Sequence, residues 1–567
     1  MIICGIKLTH DGAISLIDGR DLVFSYECEK LNNNKRHSDI TLDLLGINNI
    51  LEQHGYSLGE IDRFVLDGWG ENWFLPRVEE REYIIATAIG SEWENVRVSR
   101  YGHLLAEENV LESIDFRLEK IGLDYRSYMH VSGHVFSAYC TSPFAKQNAS
   151  SFVLVWDGAM TPQLFHFDSR SKKIRNCGSL FPVLGSIYSL FSHEYEPFNS
   201  EPLSLSIAGK AMAYVAMGKP SVDVIREFGR ILKETIDESG DLPQSPLLAA
   251  IITKTLIRKV KEYGIRNSIG HADMIASLHY FLQDLLVNTL AARIKKLDLR
   301  DELLCFAGGC ALNIKWNSAL RDAGIFDHVW VPPFPNDSGS AIGAACCELV
   351  SSGAGQALEW NIYSGPNIGK IGTTNHAWPA ALCSPGELAR VIHSTGEPIL
   401  FLNGRAELGP RALGNRSILA DPTLHQTKDI LNQLKLREDY RPIAPVCTEE
   451  DAPQVFDPGT PDPYMLFEHR VRDVWRERIP AVCHLDGTAR LQTVTRQQNP
   501  QLYDLLVQYK QLCGIPLLCN TSANHKGKGF FPDLESAMDW DRLKRIWSDG
   551  YLYSRPANSQ LDNIRFS

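Results

Sequence analysis

His130 and His134 stand four residues apart in His130-Val131-Ser132-Gly133-His134. On a helix that spacing stacks two side chains on one face. Two imidazoles so placed can hold one metal ion from one side and leave its other side to a substrate. Two unrelated histidines on a polar helix face would have the same spacing. Val131 occupies the position where a zinc protease carries its glutamate, which disfavours a hydrolytic zinc site. Asp157, in an Asp157-Gly158 turn after an apolar run, and Asp337, before a glycine-rich segment, supply carboxylates that would complete a ligand set. Asp337 also stands where it would cap a small-residue helix, so it reads either as a cap or as a third ligand.

The second group is cationic. Between Gly404 and Pro422 the arginines Arg405, Arg411 and Arg416 interleave with glycines, and Lys435, Arg437 and Arg441 follow closely. Guanidinium forks match phosphate oxygens, and glycine lets them converge. A solvated charged face explains any one of these cations but not the set, which sits among glycine, proline and small apolar residues. His484, Asp486 and Arg490 fall in one turn-like stretch. Asn520, Thr521 and Ser522 end an apolar run, where amides and hydroxyls can meet a nucleotide.

These residues need elements to position them. The opening reads as strands at Ile2 to Leu8, Ala13 to Ile17 and Leu22 to Ser25, with an Asp18-Gly19 hairpin turn. Between the first two lies Thr9-His10-Asp11-Gly12, either a plain surface turn or a holder of phosphate or catalytic side chains. Residues 40–54 read as an amphipathic helix. Short strands end at Asp67-Gly68, at Asp157-Gly158 and at Gly308-Gly309, and a helix-like stretch follows from Ala311. A helix start after paired glycines favours phosphate. Residues 351–385 change character, rich in glycine, proline and asparagine, and a helix is expected from about Glu387.

A chain of 567 residues is too long for one core. Its 44% hydrophobic and 22% charged content is that of a globular protein. The opening reads as a buried strand, not a leader, and thirteen scattered cysteines without a C-x-x-C pair fit a reduced, cytoplasmic setting. A net charge of −11 argues against non-specific nucleic-acid binding, and no long uncharged apolar run suggests a membrane.

The Gly404–Pro422 run, the Arg437–Pro445 run, His484–Gln492 and Asn520–Asn524 resemble the C-terminal half of the NodU/CmcH carbamoyltransferase family. His10-Asp11, His130/His134, Asp157-Gly158, Gly308-Gly309 and Asp337-Ser338-Gly339 resemble its N-terminal half. The opening, Thr9–Ala13 and Glu27–Lys30, is most similar to the cephem-carbamoylating branch.

The resemblance implies an α/β chain of two domains. Residues 1–355 would form an actin-like ATPase/sugar-kinase (ASKHA) domain, 356–385 a linker, and 386–567 a YrdC-like domain. The latter would use carbamoyl phosphate and ATP, with magnesium in the substrate complex, to make carbamoyl adenylate. The former would hold iron(II), or another divalent ion in its place, and pass the carbamoyl group to the hydroxyl of a small natural product. His130, His134 and Asp337 would be the metal ligands, with Asp157, Gly158, Gly308, Gly309 and Asn313 near the metal or nucleotide. His10, with Asp11 beside it, would serve the acceptor as general base. Arg405, Arg411, Arg416, Lys435, Arg437, Arg441, His484, Arg490, Asn520 and Ser522 would form the activation site. A homodimer is expected by analogy. Two rivals are a tRNA-threonylcarbamoylation enzyme, against which the acidic charge counts, and a nucleotide-binding regulator that has lost catalysis, against which the intact histidine, aspartate and arginine sets count.

Overall fold

The structure is a computed structural model of the full chain. It describes residues 1–33, 44–69, 82–89, 92–102, 109–239, 245–297, 299, 301–369 and 378–556. The chain divides into two compact units, Met1–Ser25 with His37–Asn361, and Tyr26–Arg36 with Ile362–Ser567.

The first unit repeats one design. Strands β1 (Ile2–Lys7), β2 (Ala13–Asp18), β3 (Asp21–Glu27), β4 (Arg63–Asp67), β5 (Glu82–Ile89), β6 (Glu92–Ser99), β7 (Ser113–Leu118) and β8 (Leu123–Tyr128) open the unit. One sheet runs β3-β2-β1-β4-β8-β7, while β5 and β6 form a separate ribbon. The antiparallel β1–β2 pair is followed by parallel β1–β4 and β4–β8 pairs. The second sheet joins β9 (Ser151–Val155), β10 (Gln163–Asp168), β11 (Lys173–Ser179), β12 (Leu303–Ala307) and β13 (His328–Trp330) in the order β11-β10-β9-β12-β13. Its antiparallel and parallel pairs fall in the same sequence. This doubled order of antiparallel strands followed by parallel ones is the topology expected of an actin-like ATPase/sugar-kinase domain. The central strands are apolar and buried along nearly their whole length, as strands covered on both faces must be.

Each sheet is followed by a helix that matters for the site. The His130–Cys140 helix is buried throughout, and the Ser340–Ser351 helix over all but its last residue. A Cβ on Gly343 would come within 2.1 Å of the Gly133 carbonyl oxygen, so glycine lets the two backbones touch. That contact brings the histidine face of one helix against the turn that precedes the other. The expected 40–54 helix is seen as Leu44–Glu52, and residues 40–43 lie outside the described residues.

In the second unit, Ile399–Leu402, Arg416–Ala420, Leu517–Ser522 and Ala444–Thr448 are antiparallel neighbours in the middle of an eight-stranded sheet. The Pro385–Thr395 helix opens with a capping box of Ser384 and Glu387, and the Pro500–Cys513 helix also contributes to this core. The stretch expected to be a linker is not a free tether over 362–369. Ile362 and Pro366 accept hydrogen bonds from Leu408 and Ala406, at 2.7 and 2.8 Å. Residues 370–377 lie outside the described residues. A second difference is the segment that begins at Tyr26, in the last two residues of β3, which clusters with the second unit rather than the first. All thirteen cysteines are unpaired, and no helix among the described residues is long and apolar enough to cross a membrane.

Candidate functional site

The turns at the C-terminal ends of parallel strands meet in the first unit. Lys7 ends β1, Asp67 ends β4, Asp157 follows β9 and Gly308-Gly309 follows β12. His130, His134, Asp157 and Asp337 each offer a ligand atom within 4.8 Å of the others, and all four are buried. His130 Nδ1 lies 2.9 Å from both oxygens of Asp67. A carboxylate there accepts a hydrogen bond from Nδ1–H, which keeps that proton on Nδ1 and would leave the Nε2 lone pair facing inward, as in carboxylate–histidine–metal sites. His130 Nε2 and His134 Nε2 face one another at 3.1 Å. Asp337 Oδ1 is 3.5 and 3.6 Å from these two nitrogens.

Of the sequence's two readings of Asp337, its placement fits a ligand and not a cap. It begins the Asp337–Gly339 turn, and the helix after it is capped at Gly339 with no side-chain hydrogen bond. Its other oxygen meets Lys7 Nζ at 3.3 Å and His10 Nε2 at 3.0 Å. Asp157 is held by Tyr101, whose hydroxyl donates to Oδ2, and by the Gly309 N–H at 2.6 Å. So Gly309 orients a carboxylate, while the Asn313 side chain caps the Ile314–Asp322 helix. That cap places the helix start at Ile314, three residues later than expected. The Gly158 carbonyl accepts from Ser186 N–H, and Gly308 N–H donates to Pro335.

Electrostatics agree with a cation at this point. Burial opposes ionisation of Asp67, but the charges of His130 and Lys7 outweigh it and hold the carboxyl at about 2. Burial would lower His130, yet Asp67 and Asp337 raise it to about 9. Burial likewise opposes charge on Lys7 and Asp337; their mutual attraction, with further neighbours, raises the first and lowers the second well below the carboxylate range. Burial and the Asp157 charge push Tyr101 well up, so its hydroxyl stays a donor. As metal ligands both imidazoles would be neutral; three carboxylates would then face one ammonium, a net of two negative charges that a divalent ion would neutralise. Ligand types, burial, charge and the Asp67 contact all fit a divalent metal.

His10 stands at the rim, partly exposed, its ring edge-on to Trp69 at 4.7 Å. Asp11 takes a left-handed φ of 55°, which aspartate tolerates better than most residues. Sequence reasoning missed Lys7, Asp67 and Tyr101. A lysine inside an apolar strand and a third Asp-Gly strand ending were the available signals for the first two; Tyr101 offered none.

In the second unit, Arg411, Arg437, Arg441 and Arg490 crowd together. Burial, then the neighbouring guanidinium charges, lower Arg411 well below its ordinary value, Arg437 to about 9 and Arg490 to about 10. Glu438, 3.7 Å from Arg441, and Asp462 offset part of this charge. Such a cluster suits a polyanion. Arg437 also donates to Thr521 Oγ1 at 3.2 Å. Lys435 Nζ binds the Ser522 carbonyl, Ser522 Oγ and Asn524 Oδ1, fixing the strand end beside it. Asn520 donates to Ala412 O and Gln492 Oε1, tying that strand to the arginine loop.

Three expected members have protein partners of their own. Arg416 is buried and donates to the carbonyls of Asn403, Gly404, Asn415 and Pro366. Arg405 donates to the carbonyls of Ser364 and Gly365. Both brace backbone because carbonyl oxygens, not open space, surround their forks. His484 Nδ1 lies 3.1 Å from Thr488 Oγ1 in its own turn.

The fold and sites define a two-unit protein with a buried histidine–carboxylate centre in one unit and a crowded arginine cluster in the other. Family models described as "Carbamoyltransferase N-terminus" and "Carbamoyltransferase C-terminus" match residues 2–346 and 390–546. The chain belongs to this carbamoyltransferase family and is a carbamoyltransferase. It is 44% identical to "Nodulation protein U" of Rhizobium tropici over 100% of this chain and 99% of that one. The "3'-hydroxymethylcephem-O-carbamoyltransferase" of Streptomyces clavuligerus is 32% identical over 99% of this chain and 100% of its own length. Of these two relatives, the nodulation-type sequence is the more similar over the whole chain.

Proposed function

We propose that this enzyme is an O-carbamoyltransferase that works in two stages. The second unit forms carbamoyl adenylate from carbamoyl phosphate and ATP. The first transfers the carbamoyl group to a hydroxyl of a small secondary metabolite. The observation that carries this reading is the presence, in one carbamoyltransferase chain, of two differently charged sites: a buried histidine–carboxylate centre and a crowded arginine cluster. The hydroxymethyl group in the cephem relative's name supports an alcohol acceptor.

In the first stage water cleaves carbamoyl phosphate to carbamate and phosphate. A carbamate oxygen then attacks the α-phosphorus of ATP, and pyrophosphate leaves. All the reactants are anions, so Arg411, Arg437, Arg441 and Arg490 offset their repulsion and stabilise the charge of the transition state. Lys435, by holding Ser522 and Asn524, keeps the adjoining strand end in place.

In the second stage the acceptor oxygen attacks the carbamoyl carbon and AMP leaves. His10 takes the hydroxyl proton. Its Nε2–H is directed at Asp337, so Nδ1 carries the lone pair for that transfer. His130, His134, Asp157 and Asp337 would hold a divalent ion, iron(II) by the resemblance, with Asp67 orienting His130. Such an ion, when bound, polarises a carbonyl or phosphoryl oxygen.

Arg490→Ala in the full chain tests the division of labour. Carbamoyl-phosphate-dependent ATP–pyrophosphate exchange should disappear, while supplied carbamoyl adenylate should still be transferred. Normal exchange in this variant would mean that adenylation occurs elsewhere.

A further inference from the structure

The segment that begins at Tyr26, in the last two residues of β3, clusters with the second unit, although the sequence around it belongs to the first. It contains the Cys28–Asn32 helix and two buried charges, Glu27 and Lys30. Lys30 Nζ meets Glu27 Oε1 at 2.6 Å and the carbonyls of Glu407 and Gly409 at 2.5 and 2.9 Å. The same Glu27 oxygen accepts the Gly409 N–H at 2.7 Å. Both chain directions at this corner of the arginine loop are therefore gripped, the carbonyls by a cation and the N–H by an anion.

The loop is closed from within as well. Glu407, fully buried, accepts through Oε1 the N–H groups of Leu413, Asn415 and Arg416 at 2.5, 3.2 and 3.2 Å. Arg411 lies between the gripped corner at Gly409 and these three donors. At its other end the segment holds a second loop. The Asn33 carbonyl accepts the Gly529 N–H at 2.9 Å, and Lys30 Nζ lies 5.6 Å from the centre of the Phe530 ring. That loop follows the Ser522–Asn524 strand end that Lys435 fixes.

We infer that Glu27 and Lys30 are a positioning pair for the arginine cluster, holding Arg411 against Arg437, Arg441 and Arg490 before substrate arrives. The physical need is clear from the charges. Four crowded guanidinium groups repel, and the loop carrying Arg411 would relax outward unless its backbone were fixed. A buried pair of opposite charges fixes it without adding net charge beside the anion site. The inference rests on reading that cluster as the adenylation site.

The test is carbamoyl-phosphate-dependent ATP–pyrophosphate exchange in full-length variants. Glu27→Ala removes the acceptor for Gly409 and strands Lys30; Glu27→Gln keeps an oxygen in place. The KM for ATP should rise about tenfold or more in Glu27→Ala and about threefold or less in Glu27→Gln, with smaller changes in kcat, because small displacements of a binding group are costly. Transfer from supplied carbamoyl adenylate should be unchanged in both. If Glu27→Ala does not fold, the double variant Glu27→Gln/Lys30→Met, which removes both charges at similar volume, is measured instead and should also raise KM, since it frees the Glu407 and Gly409 carbonyls. A wild-type KM in the folded variant, or equal losses of exchange and transfer, would overturn the positioning role. Arg411→Ala separates this from failure of the underlying reading. If that variant exchanges at the wild-type rate, the adenylation site is not at this loop, and the positioning role falls with it.

Discussion

Asp67→Asn should weaken metal binding without removing a ligand. The Asp67 carboxylate, whose side chain is 1% exposed, accepts the His130 Nδ1 proton across both oxygens at 2.9 Å and pairs with Lys7 at 3.2 Å. An asparagine there can turn its amide N–H toward Nδ1. His130 then carries its proton on Nε2, where it points at His134 and Asp337 and blocks coordination. Loss of such an orienting carboxylate costs about 10–100-fold in metal affinity, or about 1.4–2.8 kcal/mol. Without metal the variant also loses one carboxylate partner of two buried cations, and breaking a buried pair costs about 3–5 kcal/mol. The assay is anaerobic titration of metal-free protein with iron(II) against a competing chelator, with thermal unfolding of the metal-free form alongside. Wild-type affinity in Asp67→Asn would refute the argument that Asp67 sets the His130 tautomer. Unchanged metal-free stability would refute the ion-pair part.

His10→Asn should fold, bind metal and make carbamoyl adenylate, yet transfer should fall by about 10²–10⁴-fold, the usual range for a general base; single-turnover transfer from supplied adenylate measures this, and a near wild-type rate would remove the role. Arg416→Met should destabilise the chain by about 3 kcal/mol or more, because four carbonyls lose a buried donor. Arg490→Met, which relieves repulsion in the cluster, should unfold at the wild-type temperature or above it, and calorimetry of the two variants separates a brace from a ligand group. Gly343→Ala should cost about 1–3 kcal/mol by overpacking and should lower metal occupancy, read by elemental analysis, because the two helices that frame the centre must part.

The sequence alone determined the local pieces of this protein. The i, i+4 histidines, the Asp18-Gly19 hairpin and the Asp-Gly and Gly-Gly strand endings are readable because period and turn chemistry act over a few residues. The arginine-rich run was legible as a concentration of positive charge for the same reason. What sequence could not decide was which distant groups share a space. Asp337 is about two hundred residues from His134, and the close backbone approach of Gly343 to Gly133 goes with its place beside the histidines. Lys7 and Asp67 joined the centre only because β1 and β4 are parallel neighbours that end at the same edge. Arg411 and Arg416 look alike in sequence, five residues apart in one glycine-rich run. Tertiary structure surrounds Arg416 with carbonyl oxygens and sets Arg411 among other guanidinium groups, and a fork's role follows from what lies within hydrogen-bond reach of it. The segment at Glu27 and Lys30 is the extreme case: nearly four hundred residues separate it from Gly409, and only the folded chain shows that it belongs to the second unit.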